Sequence, residues 1–410
     1  MRIVEINTVN RGSTGTIMLG IANLARAKGH EVLVCYPCSR ENSAKYNKGD
    51  YVIGNRYVRN VGRWMSFHFK AEHIIHLTST YAFIRKLKEF KPDVIHFHNI
   101  HDSFLNMPML FKYIRKAGIH VVWTMHDCWL MTGHCGYYVD FDCEKWKKGC
   151  ENCNFFNTYP KSYYDDSKYK YNLKKLLLLS LGDKLTLAPV SSWLANEVAK
   201  SYLKGISCLP ISNGVNEQVF KPLLDNSIRQ KYGIPDGKII MAAGTAWGKI
   251  KGLFDFYTLS SMLSTNEYII LVGMSDELMF NLPKGIIGVK RTDNLEELAM
   301  LYSIADVVLS LSYRETFGMT IIEANACGTP VVVYDNTAQP ELISEENGIV
   351  VKTGDVDAVY KSIKMIFARN RDDWRQSCRD SVVNRYSETV TYQKYVNLFE
   401  DIQNFKSHNS

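Results

Sequence analysis

The chain has 410 residues, a length that predicts two domains of ordinary size. Hydrophobic residues make up 46% and charged residues 22%, which excludes a disordered or fibrous chain. The net charge of +7 is too small to imply nucleic acid, but suits anionic ligands or an anionic membrane surface. No stretch approaches the roughly 18 consecutive apolar residues of a membrane-spanning helix. The opening MRIVEINTVNRG carries Glu5 inside its apolar run and lacks the core of a signal peptide, so a cytoplasmic location is expected.

Apolar runs rich in Val and Ile fall at residues 2–8, 31–36, 93–98, 120–125 and 186–190. They recur at 238–243, 267–272, 285–290, 306–311, 329–334 and 348–351. Such near-continuous runs predict strands buried on both faces of a parallel sheet. Between them the period changes. After Gly15, the residues Ile17, Ile21 and Leu24 line one helix face, and Lys28-Gly29-His30 ends it. Strand–helix alternation over the whole length predicts a doubly wound α/β architecture in two halves with a crevice between them. The Gly/Pro/Asn-rich stretch from Ser212-Asn213-Gly214 to Pro235-Asp236-Gly237 is the candidate linker. It gives a first domain at 1–214, a linker at 215–237 and a second domain at 238–385. Residues 386–410 read as a terminal brace, a helix with Tyr392, Tyr395, Leu398, Phe399 and Ile402 on one face.

Glu315-Thr316-Phe317-Gly318-Met319 follows a strand and opens a helix that carries Glu323. Gly318 falls in the first turn, where free N–H groups and the helix dipole receive an anion. Were both glutamates helical, they would stand roughly 12 Å apart along the axis. That exceeds the about 5–9.5 Å of a glycosidase acid/base pair. It suits two carboxylates gripping opposite ends of one extended ligand, although a solvated amphipathic helix would show the same spacing.

From Tyr313-Arg314-Glu315-Thr316-Phe317-Gly318-Met319 through Gly328-Thr329-Pro330, the chain resembles the retaining glycosyltransferases of family GT4. The resemblance covers most of the chain and is nearest to exopolysaccharide enzymes of the colanic-acid kind. It implies the GT-B fold, two Rossmann-like domains facing a central crevice. It also implies a nucleotide-sugar donor, a saccharide or lipid-linked saccharide acceptor, retention of configuration and no catalytic metal. By that resemblance Glu323 would hold the ribose hydroxyls and Glu315 the donor sugar. The backbone of Phe317, Gly318 and Met319 would meet the sugar and diphosphate. Carboxylates do accept bidentate hydrogen bonds from vicinal hydroxyls.

Three further segments join this set. Gly12-Ser13-Thr14-Gly15 follows the first strand and lets backbone approach a ligand at a helix N-terminus. It is not a dinucleotide fingerprint; in the resembled family the loop borders the donor phosphates and the acceptor. Gly244 through Gly252 follows the first strand of the second half, and Lys251 would neutralise a diphosphate leaving group. Thr245 stands where the family shows an Arg, with Lys249 or Arg291 as the alternative cations. His126 ends a strand of the first half, where the family has a His that touches the donor sugar. His96, His98 and His101 flank a neighbouring strand end and read as packing or acceptor-side residues.

Two features lie outside this chemistry. In the loop at 128–153, Cys135, Cys143, Cys150 and Cys153 have the spacing of a structural zinc site, with His134 as a substitute ligand and free thiols as the alternative. Asp140-Phe141-Asp142, in the same loop, is an Asp-x-Asp placed off any strand end. Lys161–Lys184, with Lys168, Lys170, Lys174 and Lys175 beside Leu176–Leu179 and four tyrosines, suits a helix lying at an anionic membrane. Arg56, Arg59, Arg63, Trp64 and Lys70 would extend that surface. The expected function is therefore a cytoplasmic, peripherally membrane-bound glycosyltransferase. The rival readings are a nucleotide-sugar 2-epimerase of the same fold and a non-catalytic sugar-binding protein.

Overall fold

The structure is a computed structural model that describes residues 1–39, 42, 47–68, 75–101, 104–223, 225 and 227–408. The chain divides into two compact units. Unit one is Met1–Ser212 together with Tyr392–Ser410, and unit two is Asn213–Thr391.

Among the described residues, unit one has seven strands: β1 (Arg2–Ile6), β2 (Glu31–Pro37), β3 (Tyr51–Ile53), β4 (Val94–Phe97), β5 (His120–Met125), β6 (Leu185–Pro189) and β7 (Ser207–Cys208). All neighbours pair in parallel, in the order β3-β2-β1-β4-β5-β6-β7. The described residues of unit two form six: β8 (Lys238–Ala243), β9 (Glu267–Val272), β10 (Ile286–Val289), β11 (Val307–Ser310), β12 (Val331–Tyr334) and β13 (Gly348–Val351). These too are parallel, in the order β10-β9-β8-β11-β12-β13. Each sheet reverses its order once, between β1 and β4 and between β8 and β11. Parallel sheets of this kind bind ligands at such a switch point, beyond the strands' carboxyl ends.

The Val- and Ile-rich runs are strands because both faces are covered: Ile3, Val4, Val94, Ile95, Ile240, Val307, Val308 and Val332 are wholly buried. Helix Gly12–Ala27 forms where the 3.6-residue pattern begins and buries Ile17, Met18, Ile21, Ala22 and Ala25. It stops at Lys28 and Gly29, the latter in the left-handed region at φ +87°. The stretch at 215–237 clusters with unit two and carries helix Ser227–Tyr232, with Ile228 and Ile234 buried.

The chain ends in two helices. Arg371–Tyr386 packs within unit two, burying Trp374, Cys378 and Val382. Glu388–His408 reaches unit one, where Tyr392, Tyr395, Val396, Phe399 and Ile402 join Ile3, Ile17, Ile21, Val94 and Val122 in one core. Val396 takes the central place expected of Leu398, which is only partly buried. Burying five such side chains is worth about 1.5–3 kcal/mol each before ordering entropy.

Gly20 is what lets this helix close. A Cβ there would stand 2.2 Å from Cε2 of the Tyr392 ring, and a ring cannot fold away as a flexible tip would. Gly20→Val is expected to destabilise unit one by about 1–3 kcal/mol through overpacking, read as a lowered urea midpoint. An unchanged midpoint would mean that the terminal helix does not sit on Gly20.

Candidate active site

In unit two, β8 and β11 are neighbours at the switch point, and the loops leaving their carboxyl ends carry the candidate residues. After β8 the chain passes Gly244 to a short turn, Lys249–Lys251, and Gly252 then admits helix Leu253–Ser260. Gly252 is left-handed at φ +70°, and a Cβ there would stand 2.3 Å from the Leu311 carbonyl oxygen. Only glycine permits that approach of the two loops. They are tied together twice. Tyr313 N–H donates to Ile250 O at 2.8 Å, and the Lys251 ammonium is ion paired with the Glu315 carboxylate. Glu315 is also anchored through its backbone: its N–H donates to Thr337 Oγ1 at 2.8 Å and its carbonyl accepts from Ala338 N–H at 3.2 Å. Buried Gln339 fixes the start of the loop, accepting from Ser310 Oγ at 2.6 Å and donating to Ser312 O at 2.8 Å.

Helix Met319–Ala326 starts from Gly318, left-handed at φ +113°. Glu315 precedes the helix, so the two glutamates are not spaced along one helical axis as the sequence suggested. The helix offers its first-turn N–H groups and dipole beside Glu315. Phe317 turns its ring inward, 6.0 Å from the Tyr386 ring. Glu323 is one turn further on, partly buried, and accepts from Tyr302 Oη at 3.1 Å. Desolvation pushes its carboxyl up to about 7, against the lowering effect of that hydrogen bond. Thr245 and Lys249 are exposed in the β8 loop, whereas Arg291 lies beyond β10, two strands away from β8. Lys249 therefore shares the turn of Lys251 and Arg291 does not.

In unit one, the loop after β1 folds back on the start of helix Gly12–Ala27. A Cβ at Gly15 would stand 2.7 Å from the Asn10 carbonyl carbon, and Asn7 Nδ2 donates to Thr14 Oγ1 at 3.1 Å. Gly12 is left-handed at φ +71° with open space around its Cβ position. His126 sits at the carboxyl end of β5, buried, with Nε2 at 3.0 Å from His98 Nδ1. His98 Nε2 lies 3.1 Å from Glu5 Oε2, and His96 Nδ1 lies 2.9 Å from the same oxygen. His96 Nε2 then meets Thr124 Oγ1 at 2.7 Å, and Thr124 donates to Tyr395 Oη on the terminal helix at 2.9 Å. Burial lowers His96 and His98 to about 3 and His126 to about 4. All three are thus neutral near pH 7. Burial also raises Glu5, in part offset by His98.

Glu5 is the residue that the sequence reading left without a role. Its signal was present: a carboxylate in a strand buried on both faces needs partners. Histidines two residues apart on the adjoining strand present one face to it. Among the described residues, Glu5, His96 and His98 are the one group whose metal-type donor atoms lie within 4.8 Å of one another. Each is wholly buried and already hydrogen bonded, so the network accounts for them.

Cys135, Cys143, Cys150 and Cys153 line a single cavity of about 260 Å³, with His134 on its wall. All are free thiols, and no three of the sulfurs lie within 4.8 Å of one another. Asp140-Phe141-Asp142 belongs to a turn of the same loop, where Phe141 stacks on Phe155 at 3.9 Å between centroids. The basic stretch departs from expectation. Lys174 points inward, 2% exposed, donating to Trp129 O at 2.5 Å with its ammonium 3.9 Å from the Trp129 ring centroid. Lys170 pairs with Asp166 at 2.9 Å, Lys168 with Glu151 at 2.8 Å, and Leu177 and Leu178 are buried. Lys174, Leu177 and Leu178 thus leave the expected face, but Lys168, Tyr169, Lys175, Leu176 and Leu179 remain exposed at helical spacing. Helix Arg56–His68 also exposes Tyr57, Val61 and Trp64 at i, i+4 and i+7. Trp64 packs on His68 at 5.2 Å, His68 stacks on Tyr163 at 5.0 Å, and the Lys161 ammonium lies 5.2 Å from the Tyr163 ring centroid. Lys70 lies outside the described residues.

Two parallel-sheet Rossmann-like units are the frame of the GT-B glycosyltransferases. Family comparison agrees. Residues 14–217 match the model described as Glycosyltransferase Family 4, and residues 226–380 match Glycosyl transferases group 1. The chain belongs to these GT-B glycosyltransferases and is a hexosyltransferase-type enzyme. It is 26% identical over 325 residues to the putative colanic acid biosynthesis glycosyl transferase WcaC of Escherichia coli K12, covering 76% of this chain and 77% of that protein. It is 26% identical over 266 residues to an N,N'-diacetylbacillosaminyl-diphospho-undecaprenol alpha-1,3-N-acetylgalactosaminyltransferase of Campylobacter jejuni, covering 59% of this chain and 68% of that protein. The crystal structure of Anabaena HepE in complex with UDP-glucose has the same fold, with TM-score 0.66, 14% identity, and 98% of this chain and all of that chain covered.

The neutral histidine network makes unit one sensitive to acid. Unfolded histidines take up protons near pH 6.5, whereas these do so only near 3 to 4. Their contribution to stability is therefore complete above about pH 6.5 and is lost as pH falls towards 4. Each adds a slope of at most about 1.4 kcal/mol per pH unit in that window. Thermal melts of the full chain should fall steadily from pH 7 to 5, and His96→Asn should flatten that fall. An identical pH slope in the variant would contradict the assignment.

Proposed function

We propose that unit two binds a nucleotide-sugar donor. The enzyme would transfer the sugar, with retention, to a saccharide or lipid-linked saccharide acceptor in surface polysaccharide assembly. The observation carrying this reading is the Lys251–Glu315 pair at the β8/β11 switch point, beside a helix that opens at Gly318 and holds Glu323. The colanic acid and undecaprenol-linked relatives, and a neighbour bound to UDP-glucose, support the substrate classes.

In this reading Glu323 accepts from the ribose hydroxyls and Glu315 from the donor sugar. The backbone of Phe317, Gly318 and Met319 meets the sugar and diphosphate. Lys251 exchanges Glu315 for the diphosphate and stabilises its departure. The acceptor oxygen bonds to the anomeric carbon on the face that the diphosphate leaves. The bond from that carbon to the phosphate oxygen breaks, and the acceptor proton passes to that oxygen. Gly12 and Gly15 would let the backbone of the loop after β1 approach a phosphate or the acceptor. His126, a neutral imidazole, hydrogen bonds a sugar hydroxyl. These steps use no metal; zinc, where this chain carries it, belongs to the cysteine loop as a structural ion. The arginine-flanked apolar stripe of Tyr57, Val61 and Trp64, continued through His68 and Tyr163, is the surface that meets an anionic bilayer holding the acceptor.

Donor hydroxyls pair best with an ionised Glu323, so affinity should rise with pH through about 7 and level off above it. Calorimetric titration with UDP-, GDP- and ADP-sugars should identify one donor whose affinity behaves so. Glu323→Gln should bind about 5- to 100-fold more weakly and lose that pH dependence. Glu315→Gln should lower turnover more than affinity. Two variants with unchanged binding and rate would sink the assignment.

Vesicle co-sedimentation checks the surface. Anionic vesicles should retain the protein at low salt and release it as salt rises, and Trp64→Ser should weaken retention without altering donor affinity. Equal retention on neutral vesicles at every salt concentration would remove the electrostatic part of the reading.

A further inference from the structure

We infer that the cysteine-lined cavity of unit one is a structural zinc site whose ligands are Cys135, Cys143, Cys150 and Cys153, and that it contracts around the ion as it loads. The inference rests on a different part of the molecule from the donor reading, and either can fail without the other.

The loop at 126–166 sets the need. Between β5 and helix Ser167–Leu179 the chain forms only two short helical turns, Tyr138–Phe141 and Lys145–Lys147. Loops longer than about 12–15 residues without regular structure are uncommon in compact domains unless something fastens them. This loop contributes two large buried side chains, Tyr138 and Trp146, which pack on each other at 4.7 Å. A metal that joins four of its points supplies a missing core.

The geometry supplies the means. Four thiols, from three separated stretches of the loop, face one void of about 260 Å³. Cys150 and Cys153 are set by backbone that other residues seldom adopt: Asn152, between them, is left-handed at φ +49°, and Gly149, before them, has φ +155°. Lys145 Nζ clamps that turn, donating to Glu151 O at 3.2 Å and Asn152 O at 2.8 Å. Gly133 N–H donates to Cys150 Sγ at 3.1 Å, an amide-to-sulfur bond of the kind that steadies a ligating thiolate. A Cβ at Gly133 would stand 2.6 Å from Cys150 Cβ and 2.4 Å from Ser167 O, so this approach requires glycine.

Bound zinc would hold its sulfurs at roughly 2.3 Å, which puts them about 3.8 Å from one another in a tetrahedron. In every trio of these sulfurs at least one pair stands more than 4.8 Å apart, so loading must draw the loop inward. Four S–H bonds give up their protons to solvent, four Zn–S bonds form, and nothing is oxidised or reduced. The resulting net charge of −2 lies near Lys145. A closed four-sulfur shell leaves no position for substrate, so the ion fastens the loop and takes no part in transfer.

The test uses the full chain, expressed with zinc in the medium and purified without chelators. Elemental analysis should give about one zinc per chain, and zinc K-edge absorption should show four sulfurs at about 2.3 Å. Cys150→Ser and Cys153→Ser should each lower zinc content or affinity by about tenfold or more, while Cys208→Ser, altering an exposed thiol, should not. Because the first two variants could fail to fold, the wild-type protein is also stripped with a strong chelator and reloaded. Its melting temperature should fall and then recover. Three results would overturn the inference: absence of stoichiometric zinc with all four thiols free by thiol counting, a mass showing them paired as disulfides, or a zinc shell containing nitrogen.

Discussion

The ion pair between Lys251 and Glu315 joins two loops that are 64 residues apart in the chain. A parallel sheet makes the meeting unavoidable: β8 and β11 are neighbours, and all carboxyl ends lie on one edge. Gly252, the Ile250–Tyr313 bond and the Gln339 clamp then leave the two side chains little choice of partner. A partly exposed pair of this kind contributes only about 0–1 kcal/mol to stability. Its importance is positional. It holds a cation and an anion at the mouth of a helix N-terminus, where, in the function proposed above, a diphosphate would take the cation and a sugar hydroxyl the anion.

Elsewhere in each unit, ionisable groups are held largely out of solvent. Glu323 is desolvated until its carboxyl titrates near neutrality, so hydroxyl donors would find a group whose charge they can stabilise. In unit one the same principle runs the other way. Glu5 and three histidines are buried together, and the imidazoles stay neutral because no solvent supports their charge. Neutral rings donate and accept at once, which suits hydrogen bonds to sugar hydroxyls better than a fixed cation would. Tyr395 ties this network to the terminal helix, so the chain's last segment supports groups at the carboxyl edge of the first sheet.

Much of this was legible in the amino-acid sequence, for identifiable reasons. Strands buried on both faces announce themselves as Val/Ile runs, and eleven of the thirteen were readable in that way. The other two, β3 and β7, are edge strands of three and two residues, too short to carry a pattern. Glu315, Gly318 and Glu323 stood out because strand, glycine turn and helix follow in order. The pairing of Lys251 with Glu315 did not, because it depends on strand order rather than spacing. Glu5 was hidden among apolar neighbours, and only the register opposite His96 reveals its partners. The lysine stretch was legible only in part, because composition does not tell which way a side chain points: Lys174 covers the Trp129 ring, whereas Lys168, Lys175, Leu176 and Leu179 stay exposed, and a second exposed apolar stripe lies on helix Arg56–His68.

The central claim is that a nucleotide sugar lodges its diphosphate at the N-terminus of the helix Met319–Ala326. Amide hydrogen exchange followed with and without the donor selected by calorimetry tests this directly, since it reads the backbone groups themselves. Exchange should slow at residues 317–320 and in the turn Lys249–Lys251, with the effect lost when Glu323 is replaced by Gln at the same donor concentration. Protection that leaves both segments unchanged while appearing elsewhere in the chain would contradict it.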